Sequence, residues 1–124
     1  MSLEEIKALV RKGIEAMNKR DLTVLDEFMA SDYVDHTNQL RGSEDVKQFY
    51  IGAFKDFPDL RRSIEDIIAE GDKVWVRFKN TATDPTGKKI ELSTVTIYRI
   101  VNGKIVEVWS VPQTVSEEKK PKFT

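Results

Sequence analysis

Apolar positions recur at helical spacing through the first half of the chain and at alternating spacing through the second. Leu3, Ile6, Val10, Gly13, Ile14 and Met17 share one helical face. Ser2-Leu3-Glu4-Glu5 has the form of a capping box at its start. A first helix is therefore expected from Leu3 to about Lys19. Asp21 is placed to cap a short second helix carrying Leu22, Leu25, Phe28 and Met29. Ser31 to His36 reads as a short extended piece. After the break at Arg41-Gly42, Ser43 is the expected cap of a third helix, with Val46, Phe49, Tyr50, Ala53 and Phe54 on one face. Phe57-Pro58-Asp59 ends it, because proline disfavours helix in the residue before it.

From Leu60 the period is two. A strand to Glu70, a Gly71-Asp72 turn and a strand from Lys73 to about Thr81 are expected. Asp84-Pro85-Thr86-Gly87 makes the next turn, and a long strand then runs to Val101. Asn102-Gly103 is a strong two-residue hairpin signal, because both residues tolerate positive φ. With uninterrupted pairing, Ile100 faces Ile105, Tyr98 faces Glu107, Thr96 faces Trp109, Thr94 faces Val111 and Leu92 faces Gln113. All five pairs then share one face. The reverse face would carry Val95, Ile97, Val106 and Val108. Three helices followed by a four-stranded antiparallel meander predict an α+β domain with the helices on one sheet face.

At 124 residues the chain is one domain by size, with room for a modest core. Residues 1–115 are expected to form it and residues 116–124 a loosely held polar tail. Twenty basic residues balance twenty-one acidic ones, which argues against a nucleic-acid groove or a basic membrane patch. Cysteine is absent and histidine occurs once, so neither disulfides nor a transition-metal site are expected. No cofactor is expected. The opening residues carry two glutamates and no apolar run of the kind found in a secretory signal or a membrane span, and a cytoplasmic location is expected.

The order of several segments is distinctive. Tyr33-Val34-Asp35-His36, Arg41-Gly42-Ser43-Glu44, Phe54 with Phe57-Pro58-Asp59, Ile68 to Val74, and Tyr98-Arg99-Ile100 with Gly103 to Glu107 and Trp109 follow one another as in SnoaL-like polyketide cyclases. The chain resembles that family from the first helix to Gln113. The resemblance implies the cone-shaped nuclear transport factor 2-like fold, a curved antiparallel sheet wrapped around three N-terminal helices, with a deep apolar pocket. In relatives the pocket's polar groups usually include the histidine of the Asp-His pair and an acid on the last strand just after the tryptophan. His36 matches the first. Ser110, Val111, Pro112 and Gln113 follow Trp109, so the second is missing.

Candidate catalytic residues are His36, Asp35 and Glu107. Histidine is the one side-chain type whose unperturbed titration falls near neutrality, which suits His36 to acid or base work. Asp35 and His36 are neighbours on an extended segment, so they point to opposite faces and make no relay. Glu107, set among aromatics on the proposed pocket face, would have its pKa raised by desolvation, or would simply bond to Tyr98. Candidate ligand contacts are Tyr50, Phe54, Tyr98, Trp109, Val111 and Gln113, with Thr96 as a further hydrogen-bonding group. Asp66 and Arg77 fall opposite each other across the Gly71-Asp72 turn, as an ordinary cross-strand ion pair. Two readings stay open. One is an enzyme of the cyclase or isomerase type that moves a proton on an apolar carbonyl compound. The other is a non-catalytic ligand-binding or dimerising domain. Either takes a small apolar or aromatic ligand, and the valine-lined reverse face is expected to meet a second copy in a homodimer.

Overall fold

The computed structural model describes residues 1–112 of the chain, so the tail expected from Ser116 lies outside the described residues. Helix α1 spans Leu3–Asn18. The Ser2–Glu5 capping box is complete at its start. A single 3₁₀ turn, Leu22–Val24, leads into α2, Leu25–Phe28. Asp21 does not cap it, because its carboxylate accepts from the Thr23 hydroxyl instead. Strand β1 is Met29–Asp35, β2 is Leu40–Arg41, and α3 is Gly42–Asp56. Ser43 is not the cap of α3 but lies in its first turn, and its hydroxyl donates to Asp26. Asp45 accepts from the Arg41 amide at 2.8 Å, and no side chain of the cap residue closes that end of the helix.

The meander is formed by β3 (Arg61–Glu70), β4 (Lys73–Thr83), β5 (Lys89–Val101) and β6 (Lys104–Pro112). The sheet has six strands rather than four, in the order β2-β1-β6-β5-β4-β3, curved and unclosed, with the three helices on one face. β1 joins β6 in parallel, and every other strand pair among the described residues is antiparallel. That pairing spans some seventy residues of sequence. A local alternation pattern carries no trace of it.

Two β-bulges within the meander set which side chains of β3 and β6 face the helices. The Asn102-Gly103 turn has positive φ at both residues and pairs Val101 with Lys104 and Ile100 with Ile105, as expected. The next pair is Arg99 with Glu107, so Val106 is an extra residue. Beyond it Tyr98 faces Val108, Ile97 faces Trp109 and Thr96 faces Ser110. Every expected pair from Tyr98 onward is therefore shifted by one, and a one-residue shift moves each side chain of β6 to the opposite face. Val108 is buried with the core, while Glu107, Trp109 and Val111 face outward. In β3 the same happens at Glu65. Glu70 pairs with Lys73 and Asp66 with Arg77 as expected, but Ile64 pairs with Phe78 and Arg62 with Asn80. The bulge turns Arg62 and Ile64 to the inner face.

The core lies between α1, α3 and the inner face, around Val10, Met17, Val74, Val76 and Phe78, each almost fully buried. No helix among the described residues is long and apolar enough to cross a membrane. The bulge at Val106 makes a direct prediction. Val108→Asp places a charge in the core and is expected to abolish cooperative folding in thermal melts followed by circular dichroism. Val111→Asp, on the outer face and outside the subunit core, is expected to keep a cooperative melt. Uninterrupted pairing requires the reverse ranking.

Candidate functional site

The inner face of the sheet and the helices enclose a cavity of about 510 Å³. Most of its wall is apolar, with Val10, Ile14 and Met17 from α1, Val46 from α3 and Val108 from β6. Phe49, Ile90 and Leu92 line it and are also exposed, which places its opening at the wide end between α3 and the β4–β5 turn. An apolar cup with a few convergent polar groups is the usual form of a small-molecule site.

The polar groups are few. Asp35 ends β1 and is buried, although it is a carboxylate. Its Oδ1 accepts from the Thr37 and Asn38 amides at 3.0 Å each, and its Oδ2 from Asn38 Nδ2 at 3.1 Å. The Thr37-Asn38 turn thus holds the carboxylate against the cavity. A carboxylate has about four acceptor positions. Three are used, and the open one is on Oδ2. Tyr33 and Tyr98 are both buried and line the same space. Burial pushes the Tyr33 hydroxyl up. It pushes Tyr98 up to about 12, the Arg62 charge nearby pulling the other way. Both therefore keep their protons at neutral pH and can donate hydrogen bonds.

Arg62 is the cavity's cation. Its Nε donates to Asn80 Oδ1 at 3.0 Å, Nη1 to the Tyr50 hydroxyl at 3.1 Å and Nη2 to Thr96 Oγ1 at 3.3 Å. The guanidinium carbon lies 3.8 Å from the centre of the Phe78 ring. Asn18, from the end of α1, holds the Arg62 backbone by a bond to its amide at 2.9 Å and one from Asn18 Nδ2 to its carbonyl at 2.8 Å. Burial opposes the charge, but the Tyr50 and Tyr98 oxygens beside it outweigh that and raise its pKa, so it stays charged.

The expected site residues divide between two faces. Asp35, Tyr50 and Tyr98 line the cavity. His36, Glu107 and Trp109 do not; the Val106 bulge turns Glu107 and Trp109 outward, and His36 faces outward because it follows the inward-facing Asp35. They meet on the outer face. The His36 and Trp109 rings stack with centroids 5.0 Å apart, and His36 Nε2 lies 2.7 Å from Glu107 Oε2. Arg99 Nε donates to Glu107 Oε1 at 2.6 Å. Glu107 does not have the raised pKa expected of a carboxylate buried among aromatics. The hydrogen bonds from His36 and Arg99 hold it below the ordinary carboxylate range. Val111 is on the outer face too and 63% exposed. Phe54 is absent from the cavity wall, packed under the Arg20 guanidinium at 3.7 Å and beside Tyr50. Gln113 lies outside the described residues. Asp35 and His36 do point to opposite faces. Asp66 and Arg77 form the expected pair at 2.6 Å, exposed on both sides and worth under about 1 kcal/mol. Among the described residues no group of three His, Cys, Asp or Glu side chains is placed to hold a metal ion.

Sequence reasoning missed Arg62, Asn80 and Tyr33. A signal for Arg62 exists. Ile64 and Ile67 are three apart within a strand, which breaks the period of two and marks a bulge.

The outer cluster makes a pH prediction. The folded pKa of Glu107 is depressed, so its contribution to stability is in full above the ordinary carboxylate range and is lost as pH falls through the lowered value. Glu107→Gln is expected to lower the melting temperature at pH 7, with the difference from the unaltered chain vanishing on acidification below about pH 4. A pH-independent difference would contradict the depressed value.

The family model described as SnoaL-like polyketide cyclase matches residues 7–119. Among solved structures, the chain is similar to AclR, a proposed hydroxylase from Streptomyces galilaeus. The identity is 33% and the TM-score 0.80, over 90% of this chain and 80% of that one. It is also similar to IdmH, a proposed polyketide cyclase from Streptomyces antibioticus, at 26% identity and TM-score 0.76, over 86% of this chain and 90% of that one. A SnoaL-like polyketide cyclase from Agrobacterium tumefaciens shares the fold at TM-score 0.83 and 19% identity, over 95% of this chain and 97% of that one. No curated protein matches the chain.

Proposed function

The chain belongs to the SnoaL-like polyketide cyclase family, and on that premise we propose that it binds a small, largely apolar carbonyl compound in the cavity and moves a proton on it. Asp35 is the group that takes the proton. The observation that carries this reading is a buried carboxylate with one open acceptor position, facing an apolar cavity that also holds two protonated tyrosines. In the step proposed, the C–H proton next to the carbonyl passes to Asp35 Oδ2. The bonding pair moves into the C–C–O system, and the enolate oxygen accepts a hydrogen bond from Tyr98 or Tyr33. His36 takes no part, because it lies on the far side of the sheet.

A second reading, ligand binding without turnover, is favoured by the three donors that already hold Asp35, since each stabilises the carboxylate as it stands. One experiment separates the two. α-Proton exchange of 2-tetralone in deuterated water, followed by NMR, is expected to be accelerated by the protein. Asp35→Asn should reduce that acceleration by about 10²–10⁴-fold, and His36→Ala should leave it intact. Binding without exchange would establish the second reading.

The outer face supports a partner. The register places Ile68, Trp75, Ile97 and Trp109 in one row across β3 to β6, with Val95 and Val111 in the next row. Ile68 and Trp75 are well exposed. The face expected from the sequence loses Val108, which is buried, and gains both tryptophans. Ion pairs of both signs flank the row, Asp66–Arg77 on one side and Glu107–Arg99 on the other. A neutral face of this kind is complementary to a copy of itself, which favours a two-fold homodimer. Sedimentation at micromolar concentration is expected to give a dimer that Ile97→Asp converts to monomer. A monomer in the unaltered chain would remove the proposal.

A further inference from the structure

Arg62 has no part in taking the proton to Asp35, and its bonds to β4, β5 and α3 leave its charge without a counter-charge. An arginine kept only to tie strands together is normally paired with a carboxylate, because a buried charge without a counter-charge costs several kcal/mol. Here the acceptors are a carboxamide, a phenol and an alcohol, all neutral. Among the described residues no Asp or Glu lies within ion-pair distance of it. Asp35, the one acid on the cavity wall, has turned its bonds to Thr37 and Asn38. A guanidinium has five N–H donors. Three are used in well-formed bonds, one from each nitrogen, and the neutral Tyr98 hydroxyl beside the group is a further acceptor, which leaves at least one N–H of the Nη1/Nη2 pair open. That pair is the one with which arginine grips a carboxylate.

The surroundings hold the group in place before anything binds. Phe78 supports its flat face, Asn80 and Thr96 fix its edges from two neighbouring strands, and Asn18 clamps its backbone. Preorganised donors in a mostly apolar cavity interact strongly with an incoming anion, since little reorganisation and little water stand between them. The bulge at Glu65 is what delivers this side chain to the cavity.

We propose that Arg62 receives a carboxylate of the ligand, so that the compound bound in the cavity is an apolar acid with its anionic end on the Arg62 guanidinium and its apolar body against the α1 wall. The proposal rests on the cavity being a small-molecule site and names the class of molecule it takes. An enolate formed within the site would bring the same oxygen chemistry to Arg62. The two sources differ in that only a carboxylate is charged before any reaction occurs.

Isothermal titration calorimetry at pH 7 with 2-naphthoate and with 2-naphthalenemethanol, matched in ring system, tests it. The unaltered chain is expected to bind the acid about tenfold more tightly than the alcohol or better. Arg62→Gln should remove that preference while leaving the affinity for the alcohol, and Arg62→Lys should restore much of it. Equal affinities in the unaltered chain overturn the carboxylate assignment and leave the cavity reading standing, with the enolate as the remaining anion for Arg62. Absence of binding by both compounds overturns the cavity reading and this proposal together. The first comparison needs no variant, so a fold weakened by loss of Arg62 does not shield the proposal.

Discussion

The parity of side chains along two strands governs this molecule. In a pleated sheet successive residues face opposite sides, so a single unpaired residue inverts everything beyond it. The extra residue at Val106 sends Val108 and Ser110 inward and puts Trp109 and Glu107 outside. The extra residue at Glu65 sends Arg62 and Ile64 inward, against the parity of Ile67 and Ala69. The cavity owes its guanidinium to the second bulge, and the outer face owes a tryptophan to the first. Without them the same sequence would present a carboxylate and an indole to the helices and leave an arginine in water.

Electrostatics follows that division. The outer face collects His36, Glu107 and Arg99 into one cluster, where solvent screens the charges and the carboxylate is held ionised by its partners. Among the described residues the cavity wall holds one acid and one cation, each bonded separately to neutral groups. Keeping them apart leaves both with bonding capacity toward a third molecule. A direct Asp35–Arg62 ion pair would have closed the site on itself. The tyrosines around them stay protonated because burial disfavours the phenolate.

Much of the architecture was legible along the chain. The Ser2–Glu5 capping box, the apolar stripe of α1, the Phe57-Pro58 stop, the Gly71-Asp72 turn and the Asn102-Gly103 hairpin all appear as read, because each depends on interactions within a few residues. The Asp66–Arg77 pair is legible for the same reason, lying between a tight turn and the first irregularity. The candidate site was legible only in part. Of the residues named from the sequence, Asp35, Tyr50 and Tyr98 line the cavity. Glu107, Trp109 and Val111 face outward because of a bulge that the hairpin's own residues do not announce, whereas His36, expected in the pocket from the resemblance, faces outward because it follows the inward-facing Asp35.

The sequence by itself determined the helices, the turns, the class of fold and the family, since these depend on local periodicity, capping and the order of motifs. Tertiary structure alone decided the parallel entry of β1 beside β6 and the bulge at Val106, and therefore which side of the last strand faces the cavity. The physical reason is that a bulge or a parallel pairing is stabilised by the packing of a whole face against the helices. No window of a few residues contains that energy.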